Sequence, residues 1–332
     1  MSTLAHQPAP PVRLLPHLLL AAALLSPAAA VTAKGYPERP IRIIVPFPAG
    51  GTADILPRVV AEHLASRWRQ PLVVDNRPGA AGNIGAEIVF RAEPDGYTLL
   101  SAPPPPLVIN ASLYPKLGFD PARFEPVSIM AAVPNVLLAH PKLPVATVHD
   151  LIGYAKANPD RLSYSSQGTG TTSHLTTEMF KTMAGGLRII HVPYKGTAPA
   201  LAALQGGEVN LMVDNLGVSR QHVLAGRLKA LAVCSERRIA SLPQVPAMAE
   251  IFPGFVSTAW FGVVAPPRTP ARITTQLSDA IRDALKTPEV VRKLGELSAE
   301  PIGSDPAAMA AYMRQDSARW KQVIQASNVK LD

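Results

Sequence analysis

The chain has 332 residues, 47% of them apolar, 17% charged and 5% aromatic, with a net charge of +8. That balance excludes a disordered polyampholyte, and the body of the chain lacks the apolar runs of about 18 residues that a multi-span membrane protein requires. Lys and Arg are dispersed, the densest clusters being Arg67/Arg69 and Arg237/Arg238, so the concentrated basic patch of a nucleic-acid binder is missing and no nucleic-acid partner is expected. At the N-terminus, Arg13 precedes the apolar stretch Leu14 to Leu25, broken only by Pro16 and His17; small residues follow and end in Val31-Thr32-Ala33. This is the layout of a secretory signal peptide over residues 1–33, cleaved near Ala33, and it predicts export to the periplasm. The single cysteine, Cys234, has no partner for an intrachain disulfide and reads as a buried structural thiol beside the apolar run Leu228 to Val233.

Beyond the leader, short β-branched runs alternate with helical periodicity. Strands are predicted at 41–46, 72–74, 98–101, 162–166, 187–192, 209–213 and 228–233. Helices are predicted at 54–68, 82–91, 173–183, 198–204, 270–285 and 306–326. Thr147 with Asp150 forms a capping box for a further helix that ends at Asn158-Pro159. Alternation at this pitch predicts an α/β protein with largely parallel sheets. The 35 prolines lie scattered between the apolar runs, apart from Pro103 to Pro106, and indicate many loops rather than one linker.

Two strand-to-helix loops stand out. Ala49-Gly50-Gly51-Thr52 and Gln167-Gly168-Thr169-Gly170-Thr171 each follow a strand and open a helix. In open α/β sheets ligands gather at the carboxyl ends of strands. A helix start there offers free backbone N–H groups and a partial positive charge, glycine permits close approach, and hydroxyls add donors. Tight turns with capping hydroxyls are the structural alternative for either loop alone; the two together point to an anion cleft between two lobes.

Catalysis has little support. G-x-S-x-G, paired carboxylates and H-E-x-x-H are missing, the adjacent Ser173 and His174 point in different directions on a helix, and neither nucleotide-binding glycine motif occurs. No Cys/His spacing resembles a zinc site, so neither a metal nor a cofactor is expected.

The motifs resemble those of the Bug-type periplasmic solute receptors, the extracytoplasmic component of tripartite tricarboxylate transporters. The matching segments are Pro46-Phe-Pro-Ala-Gly-Gly-Thr-Ala-Asp54, Asp75-Asn-Arg-Pro-Gly-Ala-Ala-Gly-Asn-Ile-Gly-Ala-Glu87, Pro94-Asp-Gly-Tyr-Thr98, Gly168-Thr-Gly-Thr-Thr-Ser-His174, His191-Val-Pro-Tyr-Lys-Gly196, Asp214-Asn215 and Trp260-Phe-Gly262, in family order from Tyr36 onward. The resemblance implies a type II periplasmic-binding-protein fold, with residues 36–135 plus 257–332 as lobe one and 136–256 as lobe two. Pro134 and Pro253-Gly254 punctuate the crossovers. It also implies a monomeric receptor, not an enzyme, that closes on a small carboxylate by hinge motion and presents it to the membrane permease subunits of the transporter. A sensor for a signalling partner, or an exported enzyme, is the alternative.

The expected ligand-binding residues are Phe47, Ala49, Gly50, Gly51, Thr52 and Asp54 from the first lobe. Gln167, Gly168, Thr169, Gly170, Thr171, His174 and Asp214 are expected from the second. Asp54 also suits the helix dipole, His174 also suits packing, and Lys195 is either a cleft residue or a surface charge. Two features depart from the family pattern. Pro103 to Pro106 would stiffen a cleft wall and supply no N–H donors, and Pro57 falls early in the first helix, where it is either tolerated or distorting.

Overall fold

The computed structural model describes residues 2–3 and 35–330, so the predicted signal peptide and its cleavage site lie outside the described residues. The first five regular elements follow the expected alternation: β1 (Ile41–Val45), α1 (Thr52–Trp68), β2 (Leu72–Asn76), α2 (Asn83–Phe90) and β3 (Thr98–Ala102). A long strand, β4 (Glu125–Ala139), comes next. Then follow α3 (Val148–Ala157), β5 (Leu162–Ser166), α4 (Thr172–Met183), β6 (Ile189–Pro193), α5 (Thr197–Gly206), β7 (Leu211–Asn215), α6 (Leu216–Leu224) and β8 (Lys229–Val233). The described chain closes with β9 (Thr258–Ala265), α7 (Ala271–Ala284), α8 (Pro288–Glu296), the two-residue β10 (Glu300–Pro301) and α9 (Pro306–Ala326). The box at Thr147 forms as read, Thr147 Oγ1 accepting from the Asp150 N–H and Asp150 accepting from the Thr147 N–H.

The strand order is β2-β1-β3-β9-β4-β7-β5-β6, with β8 and β10 also pairing β4. The outer trios β2-β1-β3 and β7-β5-β6 are parallel, as expected for strands linked through helices. The middle is not: β9 runs antiparallel to β3 and β4, and β4 runs antiparallel to β7 and β8. The expectation of largely parallel sheets is therefore corrected to a mixed arrangement. Its cause is β4, whose first part pairs with β9 as far as Pro134↔Thr258 and whose second part pairs with β7 from Asn135↔Asn215. Fifteen residues span roughly 50 Å, enough for one strand to serve two α/β lobes. Pro134 does not interrupt it; the change of partner falls there.

The apolar faces fill both sides of the sheets. Ile41, Leu56, Val133 and Phe261 belong to one buried cluster, and Leu137, Tyr164, Phe180 and Phe255 to another. A third cluster is closed by α9, where the indole N–H groups of Trp260 and Trp320 both donate to the buried Asp316, at 2.8 and 3.1 Å. Cys234 is fully buried just after β8, and burial pushes its thiol up to about 12. Pro57 lies buried within α1, and the helix runs through it to Trp68. Among the described residues no helix is long and apolar enough to cross a membrane.

Candidate functional site

The trios β2-β1-β3 and β7-β5-β6 are each parallel but, through the antiparallel β9 and β4, run in opposite directions. The start of α1 after β1 therefore faces the starts of α4, α5 and α6 after β5, β6 and β7. Their first residues meet: Gly51, Thr171-Thr172, Gly196-Thr197 and Asn215 all line one small chamber of about 20 Å³. That volume is close to the room one water needs. Phe47, Pro48, Gln167 and Gly196 line it and also line a second, wider groove of about 510 Å³. Each helix start leaves first-turn N–H groups for an outside acceptor, and four such dipole ends facing one point favour negative charge there.

In the loop after β1, Gly50 adopts a left-handed φ of +87°, and its N–H donates to Asp54 Oδ2 at 3.0 Å. Asp54 Oδ1 accepts from Arg58 Nε at 2.8 Å and Asn76 Nδ2 at 2.9 Å, while Asn76 also donates to the Phe47 carbonyl. Burial works against the Asp54 carboxylate, but the bonds from Arg58, Gly50 and Asn76 hold its pKa below the ordinary carboxylate value. Asp54 is thus a charged clamp on the loop that carries Phe47 and Gly51, and its oxygens are occupied by the protein.

The loop after β5 is supported by neutral groups. Gly168 and Gly170 take positive φ values of +131° and +83°. Thr171 Oγ1 donates to the Gly168 carbonyl at 2.7 Å and accepts from the His174 N–H, capping α4. His174 Nδ1 accepts from the Gly170 N–H at 3.1 Å. The His174 ring stacks on His191 at 4.1 Å, and His191 Nε2 meets Ser166 Oγ at 2.7 Å. Burial lowers His174 to about 4; burial and then the neighbouring His174 lower His191 to about 3. Both rings are neutral at physiological pH.

The loop after β6 docks on Gln167 and its neighbour through the bonds Tyr194 N–H to the Ser166 carbonyl and Gly196 N–H to the Gln167 carbonyl. At the end of β7, Asp214 is fully buried; its Oδ1 accepts from Gln167 Nε2 at 2.7 Å and its Oδ2 has no partner. Burial pushes this carboxyl up to about 7, against the opposing bonds from Gln167 and Asn215. Asn215 passes the connection on, donating to Asn135 on β4 at 2.7 Å, and Asn135 donates to Ser257 at 2.8 Å.

Glycines allow these segments to touch. A Cβ on Gly51 would lie 3.1 Å from Thr197 Oγ1, and one on Gly196 would lie 3.0 Å from Pro48 Cγ. The wider groove is bordered by Gly79 to Gly82, four consecutive residues with positive φ, including Ala80 (+47°) and Ala81 (+49°). Left-handed alanines cost roughly 1–2 kcal/mol each. The buried Asn110 holds them, donating to the Ala81 carbonyl at 3.1 Å and to Asn83 Oδ1 at 2.6 Å. Pro103 and Pro105 form part of the small chamber's wall and, as expected, supply no N–H.

Of the expected residues, Phe47, Gly51, Gln167, Gly168 and Thr171 line the two chambers. Asp54, Thr52, His174 and Asp214 are buried behind the lining, and Ala49, Gly50, Thr169 and Gly170 stand outside it, in the turns that shape it. Thr197 and Thr172 were not expected among the lining residues of the small chamber, whereas Pro103 and Pro105 belong to the stretch expected to wall the cleft and Asn215 to the Asp214-Asn215 pair, read either as cleft lining or as a turn cap. Thr197 had a usable signal: Gly196-Thr197 follows a strand and opens a helix, just as Gly51-Thr52 and Gly170-Thr171 precede theirs. Lys195 borders the wider groove, where it is exposed.

Two mixed α/β lobes served by a shared strand, with helix starts aimed into the space between, define a type II binding protein. A family model for the tripartite tricarboxylate transporter family receptor matches residues 56–329. The protein BugT of Bordetella pertussis (strain Tohama I) is 38% identical over 92% of this chain and 94% of its own. Among solved structures, Rpa4515 of R. palustris with adipate is 40% identical, with a TM-score of 0.86, over 89% of this chain and 99% of that one. MatC from Rhodopseudomonas palustris with bound malate is 30% identical, with a TM-score of 0.82, over 87% and 100%. This chain belongs to the tripartite tricarboxylate transporter receptor family, whose members of the Bug type are solute-binding proteins.

Proposed function

We propose that the protein is an exported periplasmic receptor that captures a small carboxylate-bearing organic anion between its lobes and delivers it to the permease subunits of a tripartite tricarboxylate transporter. The observation that carries this reading is the meeting of four helix starts, α1 from one side and α4, α5 and α6 from the other, on one chamber. A ligand carboxylate there gains N–H donors from both lobes at once, so its differential affinity favours the closed arrangement and drives hinge closure. The lobes are assigned as residues 36–135 with 257–332, and 136–256, the crossing falling where β4 changes partner. Adipate and malate in the two related structures are in keeping with a carboxylate.

In this reading Gly51, Thr171, Thr172 and Thr197 face the carboxylate, with Phe47, Pro103 and Pro105 against the ligand's body. Ala49, Gly50, Thr52, Asp54, Gly168, Thr169, Gly170, His174 and Asp214 shape and hold the loops. Native mass spectrometry of mature protein from its own host, with denaturing release, tests the assignment. A released small carboxylate is expected; empty protein that shows no thermal shift with a broad carboxylate panel would overturn it. Loss of uptake of that carboxylate in a deletion strain tests delivery, and loss of induction with normal uptake would make the protein a sensor instead.

A further inference from the structure

The small chamber is surrounded by donors, and one side chain breaks that pattern. The Gln167 amide nitrogen carries two hydrogens, and it has two close acceptors within the protein, Asp214 Oδ1 at 2.7 Å and Thr197 Oγ1 at 3.0 Å. Asn215 Oδ1 lies on the same side at 3.5 Å. The direction of the amide is set by its surroundings: Asp214 Oδ1 accepts in either protonation state, the unpartnered Oδ2 being free to carry the proton, and Asn215 is oriented by its own donation to Asn135. The nitrogen is therefore fully used within the protein, and the planar amide turns its carbonyl oxygen toward the chamber and groove that Gln167 lines.

We propose that Gln167 is a specificity-determining residue: its carbonyl oxygen accepts a hydrogen bond from the ligand, so the cleft selects carboxylates that carry a hydroxyl beside the bound carboxylate. This rests on the carboxylate reading above and deepens it. A hydroxyl fits better than an ammonium group, because no carboxylate lines either chamber to pair with a cation. Asp54 is taken up by Arg58 and Asn76, and Asp214 stands behind Gln167. Asp214 acts as the positioning residue, because its Oδ1 sets which way the Gln167 amide faces.

The test is isothermal titration of the mature protein with matched acids: succinate and malate, adipate and 2-hydroxyadipate, 3-phenylpropionate and 3-phenyllactate, with aspartate as the ammonium counterpart of malate. In every pair that binds, the hydroxy acid is expected to be at least about tenfold tighter, because the analogue leaves a desolvated acceptor unmet. Gln167→Met should shrink the hydroxy acid's advantage over its partner to within about twofold, whatever it does to the affinity of both; a ratio that stays about tenfold in the variant would overturn the inference. The wild-type ratios need no variant to fold. Equal affinities within the pairs, or aspartate tighter than malate, would overturn the inference while leaving the carboxylate reading in place. If no acid of the panel binds, both fall.

Discussion

The two loops that face each other across the cleft look alike in sequence but are held by opposite electrostatics. The loop after β1 hangs on an ionised carboxylate, Asp54, whose charge is matched by Arg58 and by N–H donors from Gly50 and Asn76. The loop after β5 rests on groups that burial keeps neutral or makes reluctant to ionise: the stacked His174 and His191, and Asp214 beneath Gln167. An anion arriving between them meets no uncompensated acid on the first side. On the second side it meets a carboxyl that takes up a proton more easily than usual. The difference teaches that one helix-start motif can be supported either by a matched charge or by a desolvated network, and only the latter titrates near neutrality.

The contrast can be broken most severely at Gly51, one of the points where the loops after β1 and β6 touch. Gly51→Val places methyl groups against Thr197, whose Oγ1 is already 3.1 Å from the position of a Cβ. Its φ of −90° suits any residue, so folding should persist. Ligand affinity is expected to fall by about 100-fold, or about 3 kcal/mol, by titration, with an unchanged circular dichroism spectrum. Unchanged affinity would remove Gly51 from the contact between ligand and lobes.

Next in size is Asp214. Its native pKa near 7 lies above the ordinary 3.8, so the native state binds the proton more tightly than the unfolded chain. Stability from this group falls as pH rises from about 4 to about 7, and the penalty is complete above that. Asp214→Asn should therefore be more stable than wild type by about 2 kcal/mol at pH 8, with the gap closing toward pH 4. Denaturant melts across that range would show it; a constant gap would contradict the assignment.

The histidines act in the opposite direction. Their native values near 4 and 3 lie below the ordinary 6.5, so the stability they contribute is present above pH 6.5 and is lost as pH falls toward 4. Replacing His191 by Asn should flatten that acid limb by about 1 kcal/mol between pH 6.5 and 4.5, measured by the same melts. The smallest effect is expected at Lys195, exposed at the rim of the wider groove. Lys195→Ala should weaken a dicarboxylate by about twofold, or about 0.5 kcal/mol, leave a monocarboxylate unchanged, and lose that difference in high salt.

Much of this protein was legible along the chain. Thr147 and Asp150 announced α3, and α9 was bounded correctly at Pro306 and Ala326. Gly51-Thr52 and Gly170-Thr171 marked the helix starts that reach the site. These are local signals, in which spacing within one or two turns fixes which backbone groups can bond. The strands β4 and β9 gave no such signal, because both faces are buried along most of their length and no apolar–polar alternation survives. Pro126 and Pro134 further disguised β4.

What only the tertiary structure decided is which distant segments meet. Gly51 touches Thr197, Asn215 bonds Asn135, and Gln167 lies between Asp214 and Thr197. Nothing in the spacing of those residues encodes that meeting, since it depends on β4 pairing with β7 and β9 and on two parallel trios that run in opposite directions with their carboxyl ends facing each other. The same packing moved Asp54, His174 and Asp214 from candidate ligand contacts to the layer behind, and brought Thr172 and Thr197 to the front. The chain itself determined that two glycine-rich helix starts exist and that an anion suits each. The pairing of β4 with both β9 and β7 determined that they share one chamber, and the acceptors Asp214 Oδ1 and Thr197 Oγ1 determined where the Gln167 nitrogen lies.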